Sequence, residues 1–122
     1  MKTKSFLLMA ITAMFFFISC KKESITSQLP QLAFTNNIAE GTAANGEYTI
    51  TGHISSTVRL DKVLLTQEGQ TIPFLVDEST AKNKIEYDFS YLVTEITANT
   101  YIIIDVLDQA GGKITQRFLI KK

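Results

Sequence analysis

A chain of 122 residues has room for one domain of ordinary size, about 100–200 residues. Lys plus Arg and Asp plus Glu balance at 12 each, so no basic surplus points to a nucleic-acid partner. One Cys, one His and no Trp exclude an internal disulfide and leave no second His or free Cys to share a zinc ion.

The first residues read as an address. Lys2 and Lys4 supply a short basic start, residues 6–18 (FLLMAITAMFFFI) are almost wholly apolar, and Ser19 is a small residue at the break. That is the layout of a secretory signal over residues 1–19. A transmembrane helix is the alternative, but it takes about 20 apolar residues, and Lys21-Lys22-Glu23 follows too soon. Losing residues 1–19 removes two of the 12 basic residues and no acid, which leaves a formal charge of −2.

Phe17-Ile18-Ser19-Cys20 resembles the lipobox of bacterial lipoproteins: an aliphatic residue, a small residue, then the Cys to be acylated. Phe17 stands where that family usually has Leu. The resemblance implies diacylation of the Cys20 thiol, with palmitate-like chains, and cleavage just before it. An unpaired thiol in a secreted chain needs an explanation in any case, and lipidation consumes it. One acyl chain holds a protein marginally and two or three hold it stably. An ordinary signal followed by an incidental free Cys is the competing reading. Cys-Lys-Lys-Glu also resembles the tether start of Bacteroidetes lipoproteins, and Lys21 in place of Asp implies the outer membrane. Either a periplasmic or a surface-facing orientation fits.

Residues 20–30 are polar, rich in Ser and Thr, and end in Pro30; they form the lipidated Cys and a flexible tether. The domain proper, residues 31–122, shows no helical period. Residues 31–34 predict a short strand, and 36–46 (NNIAEGTAANG) a loop that ends in the turn dipeptide Asn45-Gly46. Residues 47–54 alternate, with Tyr48, Ile50, Gly52 and Ile54 on one face and Thr49, Thr51 and His53 on the other. In 59–67, Val63 and Leu65 are the inward pair. Residues 71–77 follow, where Ile72, Phe74 and Val76 share a face, and Pro73 makes this an edge strand or a bulged one. Residues 78–84 are a polar loop. In 85–91, Ile85, Tyr87, Phe89 and Tyr91 oppose Glu86, Asp88 and Ser90. Residues 100–107 (TYIIIDVL) are apolar on both faces, as in a central strand covered on both sides. A tight turn at 108–112 leads to the last strand, 113–120, with Ile114, Phe118 and Ile120 inward.

Seven strands with turn signals every 8–12 residues or so predict an all-β, immunoglobulin-like sandwich. A closed barrel is the alternative. The pattern Ile102-x-Ile104-x-Val106-x-Asp108-x-x-Gly111, followed by Phe118-x-Ile120, resembles the last two strands of bacterial Ig-like repeats. Ile50-x-Gly52-x-Ile54-x-Ser56 resembles their second strand. The likeness spans about residues 47–121 and implies a fold, which hosts many functions.

No catalytic or metal constellation stands out. His53 could act as general base or ligand but lacks a nucleophile at a recognisable spacing. Glu86 and Asp88 share a strand face and could flank a glycosidic bond if set about 5–10 Å apart across a cleft. Asp108 reads as a turn cap, since Asp bonds the backbone two residues on. Asp105 is expected to point outward. With Tyr48 and Tyr87 assigned to the core, Tyr91 and Tyr101 are the candidates for stacking on a ligand such as a sugar ring. The expected function is therefore a non-catalytic binding or assembly module without cofactor, tethered to the membrane through Cys20 and meeting a protein or glycan partner. A small hydrolase would require Glu86, Asp88 and His53 in one concave site. An accessory subunit would require the Pro73 strand to have a free edge.

Overall fold

Alternation of β-branched and aromatic residues with Thr and Ser builds strands that bury one face, and two such sheets cover each other. The computed structural model describes residues 28–122, and residues 1–19, Cys20 and the tether up to residue 27 lie outside the described residues. Eight strands follow: β1 (Gln31–Phe34), β2 (Glu40–Thr42), β3 (Tyr48–Ser55), β4 (Leu60–Gln67), β5 (Leu75–Asp77), β6 (Glu86–Val93), β7 (Thr100–Asp108) and β8 (Lys113–Lys121). One sheet runs β1-β3-β6 and the other β2-β8-β7-β4-β5. All pairings are antiparallel except β2 with β8. The open sandwich is thus observed, not a closed barrel.

The sheets meet through the residues that alternation assigns inward. Ile50, Ile54 and Phe89 from the small sheet face Val63, Leu65, Ile102, Ile104, Val106 and Ile120 from the large one, all buried. Each such side chain contributes about 1.5–3 kcal/mol on leaving water. Phe34 sets its ring edge-on to Phe118 at 5.1 Å, and Tyr48 stacks on Phe118 at 5.5 Å. Among the described residues the buried cluster runs from Phe34 to Ile120, with Leu32 packed against it.

Two glycine positions follow from the backbone. At Gly52 a Cβ would stand 2.4 Å from the Ala33 carbonyl oxygen and 2.7 Å from the Phe89 ring, so only Gly lets β1 and Phe89 close over β3. Asn45 and Gly46 both have positive φ, 57° and 77°. The flanking Ala44 and Glu47 exchange two hydrogen bonds of 2.9 and 3.0 Å, making a two-residue hairpin of the mirror-image type.

Three expectations need correction. The loop at 36–46 contains β2, a three-residue strand parallel to β8, which makes eight strands where seven were expected. Only Leu75–Asp77 of segment 71–77 is strand, and Ile72, Phe74 and Val76 are its exposed residues (77%, 47% and 50%), because Asp77 takes the inward position. Strand β7 is central, but only Ile102, Ile104, Val106 and Asp108 are buried. On its other face Ile103, Asp105 and Leu107 are half-buried and Tyr101 is exposed. The expectation of an edge at Pro73 is met, since β5 ends the large sheet.

Candidate functional site

The described chain enters at one end of the sandwich. Gln31 pairs with Ser55, Ser55 with Glu86, and Leu60 with Asp108, so the start of β1 lies beside the β3–β4 and β7–β8 turns. The Asp108 carboxylate accepts the Ala110 and Gly112 amides at 2.9 and 2.7 Å, the turn cap that its position in the sequence predicts. Asp105 points outward, as expected, and accepts the Thr115 hydroxyl at 2.6 Å.

The two tyrosine candidates have different fates. Tyr91 is buried: its ring stacks on Phe89 at 5.5 Å and its hydroxyl donates to Asp77 Oδ2 at 2.7 Å. It is therefore a core residue and offers no face to a ligand; it shares the inward side with Tyr87 and Phe89, as period two requires. Tyr101 is on the surface of the large sheet, but the Arg117 guanidinium covers its ring at 4.0 Å and pairs in turn with Glu68 at 3.0 Å.

Asp77 is the organising acid of the inner edge. Its Oδ1 accepts the amides of Ser79, Thr80 and Ala81, and its Oδ2 accepts the hydroxyls of Thr80 at 2.6 Å and Tyr91 at 2.7 Å. The Tyr87 hydroxyl stands 2.8 Å from Thr80 Oγ1. Burial works to raise the pKa of Asp77, but the hydroxyls of Thr80 and Tyr91 and the amides of Thr80 and Ala81 outweigh it and hold the carboxyl down at about 2. Burial, then the adjoining carboxylate, push the Tyr91 phenol far up. The cluster ties β5 of one sheet to β6 of the other. Asp-x-Ser-Thr, a side chain able to cap the amides that follow, is the sequence signal that could have found it.

His53, Glu86 and Asp88 do converge, on the outer face of the small sheet. His53 Nδ1 lies 2.7 Å from Asp88 Oδ1, and Nε2 lies 2.5 Å from Glu86 Oε1. Hydrogen bonds that the ring donates to Asp88, then to Glu86, raise the His53 pKa above its ordinary value. Neutral imidazole has one N–H, so holding both carboxylates calls for the imidazolium. A ring engaged at both nitrogens is not free to take a proton from a nucleophile. The carboxylates also sit on opposite sides of the ring, so the three groups do not aim at one point. They lie on an open sheet face, and the depression beside Glu86, bounded by Gln31 and Ser55–Thr57, includes neither His53 nor Asp88.

At the end away from Gln28 the sandwich opens between the edge strands β5 and β6. There a groove of about 310 Å³ runs between Phe74 and Leu75 on one side and Leu92 and Val93 on the other, with Ile96 and Ile102 at its floor. Phe74 and Leu92 are about half exposed, at 47% and 51%. Sequence reading missed this site, although Leu92 breaks the polar run Glu86, Asp88, Ser90 on its face of β6 and marks the place.

No family model matches the sequence, and no curated protein matches it. Among solved structures the chain is similar to the fibronectin(III)-like modules of Clostridium thermocellum CbhA, with 17% identity and a TM-score of 0.52. The likeness covers 76% of this chain and 46% of that one, so this chain spans about half the length of its structural neighbour. It shows the fold alone: an immunoglobulin-like β-sandwich.

Proposed function

We propose that the protein is a lipoprotein anchored through acylated Cys20 to the outer membrane, its sandwich serving as a non-catalytic module that binds or assembles with a partner. The observation that carries this reading is the polarity of the domain. The chain enters at one end, and the apolar groove between β5 and β6 opens near the other, so a short anchor would hold the groove outward. The doubly engaged His53 supports a binding role over a hydrolytic one. The partner supported by the groove is a protein segment with an apolar side chain to insert between Phe74 and Leu92.

The test has two independent parts. Mass spectrometry of the protein from its native envelope should find Cys20 as the first residue, bearing acyl chains. A photo-crosslinker at Phe74 or Leu92 should yield a discrete adduct that the same probe at Thr115, exposed on the outer face of the large sheet, does not. An unmodified Cys20 would remove the anchor; identical adducts from all three positions would remove the groove.

A second reading has its own observation. Strand β6 is an eight-residue edge strand, and β5 ends the other sheet. An accessory subunit could accept an added strand on either edge. Ser90→Pro, on β6, would then abolish assembly while leaving the groove intact.

A further inference from the structure

The end of the domain beside the anchor carries chemistry of its own. Gln28 is eight residues after Cys20. A coil of that length spans about 16 Å, so, if Cys20 is acylated as proposed above, the anchor-side end stays within reach of lipid headgroups. That end exposes two large aliphatic side chains, Leu29 at 53% and Ile85 at 49%. They are set among three cations. The Arg59 carbonyl accepts the Gln109 amide, the Lys84 carbonyl accepts the Leu60 amide, and Lys113 follows the β7–β8 turn, against which Leu29 packs.

The acids around that end are already engaged. Asp61 pairs with Lys82 at 2.9 Å, Glu78 with Lys62 at 3.8 Å, Glu86 with His53, and Asp108 with the amides of its turn. Arg59, Lys84 and Lys113 pair with no carboxylate among the described residues. Arg59 donates to the Asn83 carbonyl at 2.8 Å, and Lys84 lies over the Tyr87 ring at 5.6 Å, so both keep their charge for an outside anion. Aliphatic tips flanked by unpaired cations are the composition of a surface that rests on a membrane interface.

We infer that the anchor-side end, through Arg59, Lys84, Lys113, Leu29 and Ile85, docks on anionic phospholipid headgroups and stands the sandwich end-on to the bilayer. The inference rests on the anchored reading but not on the identity of any partner. A cation close to an anionic leaflet gains roughly fivefold in binding, so three give about a hundredfold, enough to orient a domain already held nearby.

The chain has no Trp, which allows a single reporter. Residues 20–122 can be coupled at Cys20 to a maleimide phospholipid in vesicles, which fixes the anchor whether or not acylation occurs in the cell. Trp is placed at exposed Thr57, at the anchor-side end, or at exposed Glu47, at the far end. With headgroup-labelled quenching lipid in phosphatidylglycerol vesicles, Trp fluorescence from position 57 should be quenched at least about twofold more than from position 47. The difference should collapse in phosphatidylcholine vesicles, at high salt, and in the triple variant Arg59→Glu, Lys84→Glu, Lys113→Glu. Equal quenching at both positions, or undiminished quenching in the triple variant with its circular dichroism intact, would overturn the proposal. Mass spectrometry of native Cys20 decides the anchor separately.

Discussion

Strand β6 is gripped by two polar clusters made of similar parts in opposite surroundings. On its inner side Tyr87 and Tyr91 reach across to Asp77, which is 8% exposed; on its outer side Glu86 and Asp88 clasp His53 in the open. Both are built from carboxylates with short hydrogen bonds. They differ in what takes over when a partner is removed. Water can replace a lost contact at His53, whereas nothing replaces one at Asp77, so the buried cluster should count for several times more in stability.

The largest effect tests that contrast. Asp77→Ala leaves the buried Tyr91 hydroxyl and Ala81 amide without acceptors beneath the sheet edge. The expected loss is about 3–4 kcal/mol, at least two buried groups at about 1–3 each, or a fall in Tm of roughly 15 °C for a domain of this size. Tyr91→Phe should cost about 1–1.5 kcal/mol, and the double variant less than the sum, because both remove one bond. Urea melts that place Asp77→Ala within 1 kcal/mol (about the worth of one ordinary hydrogen bond) of the native chain would break the comparison at its buried side.

The second effect is the response of the same group to acid. Its folded pKa is about 2, against an ordinary 3.8, so the folded state prefers the carboxylate and the unfolded chain takes up the proton first. The stabilisation is therefore complete above about pH 4 and lost as pH falls toward 2. A shift of nearly two units amounts to about 2 kcal/mol. Melts between pH 5 and 2 should show this loss in the native chain and a smaller one in Asp77→Asn.

The contrast also bears on what was legible beforehand. Strand β3 was readable residue by residue, because its outer face is Thr and His and its inner face Ile, Gly and Tyr. Strand β7 misled, since Ile103 and Leu107 look buried in sequence but lie half-exposed on the outer face, beside Thr66 and Arg117 and beside Lys62 and Lys113, a pairing that no local pattern reveals. Strand β5 misled for the opposite reason. Its apolar residues suggest a buried face, yet Asp77 holds the inward position through partners at 79–81, 87 and 91, and hydrogen bonds across that separation leave no period. The His53 cluster was half legible: alternation put Glu86 and Asp88 together, but the register that sets His53 opposite Asp88 comes from pairing two distant strands.

The smallest effect sharpens the exposed side. His53→Gln should change stability by only a few tenths of a kcal/mol near neutral pH, as for other surface ion pairs. Its pH dependence runs opposite to that of Asp77. With the folded pKa raised above 6.5, the imidazolium is favoured in the folded state, so its contribution is complete below about pH 6.5 and fades as pH rises through the raised value. An NMR titration of the His53 ring should give a midpoint above 6.5. Asp88→Asn should bring it back toward the ordinary value by more than Glu86→Gln does, since Asp88 is the larger of the two causes. A midpoint at or below 6.5 in the native chain would mean that the ring does not hold both carboxylates in solution. The hydrolytic alternative would then regain a histidine with a free nitrogen.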